Sequence, residues 1–376
     1  MIKTVNILII LLIYKQDSLP VQRICKEQTA VFHSGGQTTH NRKKAAGPWD
    51  RRDQKERKEN DVFEQKEDRT CGHGDGRHEL AYSALNQAVC DELVLVDIDK
   101  KRAEGEAMDL NHGVAFASSS MRIYAGDYSD CSDADLVVIC AGVSQKPGES
   151  RLELLQRNTA VFQSIISPIT RSGFSGIFLV ATNPVDIMTR VTYELSGFNA
   201  SRVFGTGTTL DTARLRYLLG DYFSVDPRNM HAYVIGEHGD SEFVPWSQAM
   251  LATKSVIDIC EQSDGKFCLE EMQKISIEVR DAAQKIIEAK KATYYGIGMS
   301  LVRIVRAVLS NENSVLTVSA RLRGEYGQKD VYIGVPCIVN RNGVDRVLEL
   351  TLTEEEQQKF TESCAVLEEN YEGLRL

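Results

Sequence analysis

The sequence lacks several features that mark particular classes of protein. Its nine cysteines include no Cys-x-x-Cys pair, which argues against a zinc site or a disulfide framework and favours reduced thiols. Lysine and arginine number 44 against 53 aspartates and glutamates, and the net charge of -9 disfavours bulk nucleic-acid binding. The apolar run VNILIILLIY, at 5–14, is too short to span a bilayer. No small-residue cleavage site clearly follows it, so we expect a cytoplasmic protein without membrane or nucleic-acid partners.

Beyond residue 80 the pattern is that of alternating strands and helices. ELVLVDID, RIYAGD, DLVVICAG and GIFLVATNP are predicted as strands, and the segments between them include two long helices. This alternation predicts an α/β fold with a Rossmann-type, doubly wound parallel sheet. After about residue 202 the elements are mixed, and the last strands are predicted to be antiparallel, so a second domain of mixed α+β type is expected.

The first strand and turn of this sheet are damaged in the sequence. Gly72 and Gly74 begin a Gly-x-Gly-x-x-Gly loop, which holds a dinucleotide pyrophosphate, but Arg77 replaces the third glycine. The preceding VFEQKEDRT is too polar for a buried strand. Asp97 ends the next strand, where a carboxylate binds the adenosine ribose and favours NAD over NADP. We predict a disordered or aberrant tail over 1–65, an NAD-binding Rossmann domain over 66–205 and a substrate domain over 206–376.

The loop AGVSQKPGESR follows a buried strand, at the sheet edge where ligands bind in open α/β folds. Gly142 and Gly148 could act as hinges of a lid that carries Arg151 to a substrate. An ordinary surface loop that ends at the next helix is the alternative interpretation.

Two motifs together indicate acid–base chemistry on a carboxylate substrate. Asp211 and Arg214, in TGTTLDTARLR, lie three residues apart on a helix and share a face. An arginine there can bind a carboxylate through two parallel hydrogen bonds. His238 lies in the glycine turn GEHGDS, and pairing with Asp211 would favour its imidazolium form. Such a histidine can give a proton to a carbonyl oxygen or take one from a hydroxyl.

Residues 80 to about 375 resemble the bacterial-type L-lactate dehydrogenases of the lactate and malate dehydrogenase superfamily. The resemblance rests above all on GTGTTLDTARLRYLLGDYFSVDPRNMHAYVIGEHGDSEFVPWS, a segment highly specific to that superfamily. It implies reversible hydride transfer between NADH and pyruvate, giving (S)-lactate and NAD+, at the last step of fermentative glycolysis. It also implies a homotetramer.

The resemblance assigns roles to individual residues. His238 falls on the proton donor and acceptor, Asp211 on its partner, Arg214 on the substrate-carboxylate arginine, and Arg151 on the lid arginine that polarises the carbonyl. Asn183, in ATNP, falls on a contact to substrate and cofactor, Thr293 on the substrate pocket, and Ile297 on the residue that packs against the nicotinamide.

Substrate choice and activation each depend on specific positions. Malate dehydrogenases carry a lid arginine for a second carboxylate, and Gln145 stands at that position, which favours pyruvate. Family members activated by fructose 1,6-bisphosphate use an arginine and a histidine at a subunit interface, and Arg216 and His231 match them. A pair of surface polar residues is the plain alternative.

Two other interpretations of function stay open at this point. One is a dehydrogenase for malate or another 2-hydroxy acid. The other is a catalytically impaired chain, because its first strand and third glycine are missing. For Lys66 to Glu79, one permitted choice of codons, read one base later, encodes KKIVLVGTGMVGMS, a strand with a complete fingerprint. We therefore predict that residues up to about 79 are an out-of-frame translation.

Overall fold

Most elements predicted beyond residue 80 are present in the computed structural model, which describes residues 6–11, 76–143, 146 and 148–375. The helices are α1 (Gly76–Gln87), α2 (Lys100–Val114), α3 (Arg151–Arg171), α4 (Val185–Ser196), α5 (Thr209–Phe223), α6 (Val256–Glu261), α7 (Leu269–Lys290), α8 (Tyr295–Leu309) and α9 (Glu354–Glu372). The strands are β1 (Asn6–Leu11), β2 (Glu92–Asp97), β3 (Arg122–Ala125), β4 (Leu136–Ile139), β5 (Ile177–Val180), β6 (Val203–Gly205), β7 (Met230–His231), β8 (Met250–Leu251), β9 (Lys254–Ser255), β10 (Ser314–Arg323), β11 (Lys329–Asn340) and β12 (Gly343–Val347).

Six of the strands form the predicted parallel sheet. Their order is β3-β2-β1-β4-β5-β6, and each neighbouring pair is parallel. This is the doubly wound dinucleotide-binding order, in which the chain reverses direction across the sheet between β1 and β4. Strands β2, β4 and β5 are apolar and almost wholly buried because helices cover both faces. The Rossmann-type fold predicted from the sequence is confirmed.

The first strand of the sheet comes from an unexpected part of the chain. We predicted that this strand is missing, yet β1 pairs with β2 from Asn6↔Glu92 to Leu11↔Asp97 and with β4 from Ile7↔Leu136 to Ile10↔Ile139. It lies within the apolar run VNILIILLIY, at 5–14. A central parallel strand needs apolar residues, which NILIIL supplies. Residues 12–75, which include Gly72 and Gly74, lie outside the described residues.

The C-terminal strands extend the same sheet rather than forming a separate one. β10 pairs antiparallel with β6 through Ser319↔Gly205, and β11 and β12 follow it antiparallel. The strands were predicted to be antiparallel, and this is correct. Their attachment to β6 brings the second half of the chain against the carboxyl end of the parallel sheet.

Two apolar cores stabilise these layers. The larger surrounds the sheet, and its fully buried aromatic side chains include Phe162, Phe178, Phe204 and Phe360. The smaller lies around α5 and α7 and includes Leu215, Leu219, Phe223, Met272 and Val279. Helix α5 therefore has one face in the second core, which holds it rigidly as a support for side chains on its other face.

Helix boundaries follow the local signals in the sequence. Thr353 caps α9, and its side chain and that of Glu356 form a reciprocal capping box. The segment 268–309 contains two helices, α7 and α8. Lys291, at the end of α7, has a φ of 72°, a left-handed conformation that stops the helix before Thr293.

Among the helices described, none has the length and apolar character needed to cross a bilayer.

Replacing Phe178 with alanine should lower the free energy of unfolding by about 3–5 kcal/mol. The ring is fully buried in β5 and packs against Phe174 and Phe198, with centroids 4.9 and 5.1 Å away. Urea unfolding followed by circular dichroism measures the change. Phe116→Ala, at a side chain that is 92% exposed, is the control and should change the value by about 0.5 kcal/mol or less. A loss below about 1 kcal/mol for Phe178→Ala would contradict the packing described.

Candidate active site

Helix α5 positions two of the predicted site residues. The turn before it is tight against β10, since a Cβ on Gly207 would collide with the backbone of Ser319. Thr209 anchors the first turn by donating its hydroxyl to the carbonyl of Thr317 at 2.8 Å. Asp211 lies in that first turn, where the positive end of the helix dipole favours a carboxylate. Arg214 follows on the same face, as the spacing predicted.

The loop that carries His238 follows β7 in the chain and packs in space against β11 and α9. Gly236 and Gly334 exchange backbone hydrogen bonds of 2.9 and 3.0 Å, and Gly236 has a φ of 105°, which favours glycine. The Glu237 amide donates to the Ser363 hydroxyl of α9 at 2.8 Å. The His238 amide donates to Asp186, on α4, at 2.9 Å. These bonds from three elements hold the loop, and so hold the imidazole in place.

The structure brings His238, Asp211 and Arg214 into direct contact. Nδ1 of His238 lies 2.6 Å from Oδ2 of Asp211, and Nη1 of Arg214 donates to the other oxygen, Oδ1, at 2.8 Å. The Asp211 side chain is only 2% exposed, and that of His238 is 26% exposed. Because Nδ1 faces Asp211, Nε2 is the ring nitrogen left for a substrate.

The pKa values in this cluster follow from burial and paired charge. Burial alone would lower the pKa of His238, but the charge and hydrogen bond of Asp211 outweigh it and raise the pKa to about 9. Burial alone would raise the pKa of Asp211, but the charges of His238 and Arg214 lower it. The imidazolium therefore persists to about pH 9. Its contribution to stability is full below the ordinary histidine pKa of about 6.5 and is lost as pH rises through about 9.

The predicted lid arginine lies beside the histidine loop. Arg151 is the first residue of α3, whose N-cap Ser150 forms a capping box with Glu153. Its Nη2 donates to Oε1 of Glu237 at 3.2 Å, so the arginine contacts the residue next to His238. The Arg151 side chain is 54% exposed, whereas that of Glu237 is 6% exposed. Gly148 has a φ of 80°, consistent with a glycine at a turn of the loop. Gln145 lies outside the described residues.

The remaining predicted residues lie at the carboxyl edge of the parallel sheet or beside it. Asp97 ends β2, is 5% exposed, and accepts the amide of Asp99 through Oδ1 at 2.8 Å. Gly142 follows β4, and Asn183 follows β5 with its side chain exposed. Thr293 lies in the break between α7 and α8, and Ile297 in the first turn of α8 is half-buried against the main core.

The sequence analysis did not identify three carboxylates at this site. Asp186 holds the His238 amide, and Glu237 binds Arg151. Glu242 contributes a carboxylate oxygen within 4.8 Å of ligand atoms of both Asp211 and His238. Burial and the charge of Asp211 raise the pKa of Glu242 to about 8. Glu237 lies within the motif GEHGDS and Glu242 directly follows it, so proximity to His238 in sequence was the available signal. Asp186 carried no such signal.

The two predicted activator residues lie on adjoining elements. Nε of Arg216, on α5, donates to the carbonyl of Ala232 at 3.1 Å, and Ala232 directly follows His231 in the chain. His231 is exposed on β7. The backbone bond therefore brings the guanidinium to the residue next to this histidine.

Comparison with known proteins identifies the family of this fold and site. Residues 71–205 match the model of the lactate/malate dehydrogenase NAD binding domain, and residues 208–374 match that of the lactate/malate dehydrogenase alpha/beta C-terminal domain. The chain belongs to the lactate/malate dehydrogenase family. The matched N-terminal domain is one that binds NAD, which agrees with the predicted cofactor.

The similar curated proteins include several L-lactate dehydrogenases. The chain is 56% identical over 289 residues to L-lactate dehydrogenase 2 of Bacillus anthracis, a match that covers 77% of this chain and 92% of that protein. The L-lactate dehydrogenase of a Geobacillus species is also 56% identical, and the match covers 77% of this chain and 90% of that protein.

Among solved structures, a lactate dehydrogenase from a Medee basin deep-sea metagenome library is similar, with a TM-score of 0.79 and 50% identity. That match covers 80% of this chain and 96% of the other. The minor L-lactate dehydrogenase of Enterococcus mundtii in its ligands-bound form has a TM-score of 0.78 and 46% identity, over 80% of this chain and 95% of the other.

The described residues include candidates to hold parts of the family cofactor. At the adenosine side, the buried Asp97 carboxylate ends β2 where a ribose would bind. Asn183 follows β5 at the carboxyl edge of the sheet, and Ile297 lies in the first turn of α8. The pyrophosphate needs a glycine turn directly before α1, and Arg77 stands in the first turn of that helix. The residues directly before Gly76, which include Gly72 and Gly74, lie outside the described residues.

Asp211→Asn should lower the pKa of His238 from about 9 to 6.5 or below, because burial of the imidazole stays while the charge that raises its pKa is lost. An NMR titration of the His238 ring measures this value. Asp240→Asn is the matched control, since Asp240 is two residues from His238 but exposed, and it should leave that pKa unchanged. An unaltered His238 pKa in Asp211→Asn would contradict the role given to the pair.

Proposed function

We propose that the protein is an L-lactate dehydrogenase, which interconverts pyruvate and (S)-lactate with NADH and NAD+. The observation that carries this proposal is the buried His238–Asp211–Arg214 cluster, in which a protonated imidazole lies beside an arginine. A 2-oxo acid requires both of these groups, one for its carbonyl oxygen and one for its carboxylate. The named L-lactate dehydrogenases among the relatives support the same activity.

His238 is the acid of the proposed reaction. Its Nδ1–H donates to Asp211, so Nε2 carries the proton that passes to the carbonyl oxygen of pyruvate. With its pKa near 9, the histidine is protonated at neutral pH, and in the direction of lactate oxidation the neutral form accepts the hydroxyl proton. NADH supplies the hydride when it is bound.

Arg214 and Arg151 interact with different groups of the substrate, the carboxylate and the carbonyl oxygen. Arg214 uses one Nη1–H on Asp211, and a guanidinium has further donors with which to bind the substrate carboxylate. Arg151 is exposed and bound to Glu237, from which it could turn toward the carbonyl oxygen as its loop closes. There it would stabilise the developing oxyanion in a site closed to water.

Pyruvate is preferred to oxaloacetate because of the residue at position 145. Gln145 is neutral, so it offers no charge to offset the burial of a second carboxylate beneath the lid. A malate dehydrogenase is the candidate from the same family, and comparison of the two 2-oxo acids separates the alternatives.

With saturating NADH, kcat/KM for pyruvate should exceed that for oxaloacetate, and Gln145→Arg should raise kcat/KM for oxaloacetate at least about tenfold by supplying the missing charge. Initial rates of NADH oxidation measure both values. Faster turnover of oxaloacetate by the unaltered chain would favour the malate alternative.

His238→Asn should reduce kcat for both acids by about 10²–10⁴, because it removes the proton donor.

Assembly and activation are further parts of the proposal. A cytoplasmic homotetramer, as in the resembling family, would place Arg216 and His231 opposite their symmetry mates. Arg216 bonded to the backbone beside His231 supports a cationic surface there. Fructose 1,6-bisphosphate would bind such a surface through its phosphates and couple assembly to substrate affinity.

Fructose 1,6-bisphosphate should lower KM for pyruvate, and Arg216→Gln should remove this effect by deleting a phosphate-binding charge. Steady-state rates with and without the bisphosphate measure it. His112→Gln, an exposed histidine on α2, is the control and should keep the response. The activator proposal fails if the bisphosphate leaves KM unchanged in a chain that turns over pyruvate.

A further inference from the structure

A surface cavity of about 450 Å³ is formed by the last turn of α4, the loop after it, and the ends of β10 and β11 that meet at their connecting turn. Three of its side chains are cationic and one is anionic, in a chain whose net charge is -9. The cavity is therefore a positive site on an acidic protein. Its polar lining consists of Tyr193, Asn199, Arg321, Arg323, Lys329 and Asp330.

Alternation along β10 places both arginines of the cavity on the same face of the strand. Leu322 is wholly buried in the core, and Arg321 and Arg323, on either side of it, face the other way. Lys329 is the residue of β11 directly opposite Arg323. Like charges directly opposite each other destabilise a strand pair. An anion bound between Arg323 and Lys329 would offset this repulsion.

The charge of Arg321 is balanced within the cavity. Its Nη2 donates to Oδ1 of Asp330, and its Nη1 donates to the Tyr193 hydroxyl at 2.6 Å. The guanidinium also lies over the Tyr193 ring, 4.7 Å from the centroid. Because three contacts hold it, Arg321 is a fixed part of the lining and not a free charge.

Arg323 and Lys329 are both exposed, and their charges are not balanced in this way. In the part of the chain that the structure describes, neither side chain lies within ion-pairing distance of a carboxylate. Nη2 of Arg323 reaches Oδ1 of Asn199 at 3.5 Å, and the nearby Glu325 carboxylate accepts the Arg323 backbone amide instead of the guanidinium. Two cationic groups are thus available to a ligand at one end of the cavity.

The neutral side chains of the cavity also present hydrogen-bond donors. Oδ1 of Asn199 accepts the amide and the hydroxyl of Ser201 at 3.1 and 3.2 Å, so its Nδ2 is the group left for a ligand. The Tyr193 hydroxyl accepts from Arg321, so its own proton is left for an acceptor. The one carboxylate, that of Asp330, binds Arg321. A lining of donors suits a ligand with several acceptor oxygens.

We propose that this cavity binds a phosphate group, either as free phosphate or as the phosphate of a small monoester. Arg323 and Lys329 bind the phosphate oxygens, and Asn199 and Tyr193 supply neutral donors. The cationic side chains exceed the carboxylate by two charges, and a phosphate monoester carries about -1.5 to -2 at pH 7. A single carboxylate would balance only half of this excess. The volume also leaves room for an organic group beside the phosphate.

Isothermal titration calorimetry of the full chain tests the proposal, with inorganic phosphate and glycerol 3-phosphate as the two ligands. Every chain carries Arg216→Gln, so that the candidate activator surface does not contribute. At least one ligand should bind, and Arg323→Gln should weaken its binding at least about tenfold because a charged donor is lost. Lys329→Gln should have a similar effect. Arg346→Gln removes an exposed arginine of β12 outside the cavity, and this matched control should leave the affinity unchanged.

The two ligands distinguish the source of the phosphate. Tighter binding of glycerol 3-phosphate would support a monoester as the ligand, and equal or tighter binding of inorganic phosphate would support free phosphate. Binding of neither ligand, or equal affinities in the Arg323→Gln and Arg346→Gln chains, would overturn the proposal. Both of these arginines are exposed, so circular dichroism should show the same fold in each variant. Because neither pyruvate nor NADH is present, the result does not depend on the proposed function.

Discussion

The candidate site depends on one buried carboxylate shared by two cationic groups. Asp211 is almost wholly removed from water, and an isolated charge there would be costly. His238 binds one of its oxygens and Arg214 the other, so both oxygens are bound and both cations are oriented. Burial alone would lower the pKa of His238, but the charge and hydrogen bond of Asp211 raise it to about 9, so the imidazole is protonated at neutral pH. The orientation of the His238 ring, its tautomer and its charge thus all follow from its contact with Asp211.

The rest of the fold serves to bring that contact together. Asp211 comes from the first turn of α5, and His238 from a loop fixed by β11, α9 and α4, so no local segment contains both. The extension of the parallel sheet by β10 and β11 places these elements side by side. Glu237, in the same loop, also holds Arg151 beside the site while the Arg151 side chain is exposed to solvent. A substrate charge would compete with Glu237 for that arginine.

The first strand and the phosphate-binding turn of a dinucleotide-binding fold place different requirements on the sequence. A buried parallel strand needs apolar side chains and paired backbone, which many sequences provide, and β1 provides them from residues 6–11. A phosphate-binding turn needs the absence of side chains at defined spacings, which few sequences provide. An apolar segment from residues 6–11 can therefore supply the strand without supplying such a turn.

The sequence by itself determined the parallel sheet beyond residue 80, the helix caps and the candidates for acid–base chemistry, because each depends on local periodicity or on a short motif. Thr353 with Glu356, and Asp211 with Arg214, are examples in which three-residue spacing decided the contact. The tertiary structure alone decided which distant segment fills the first strand, that Arg151 binds Glu237, and that Asp186 and Glu242 adjoin His238. Those contacts join residues far apart in the chain, or side chains whose orientation depends on packing, and neither is expressed in a local pattern.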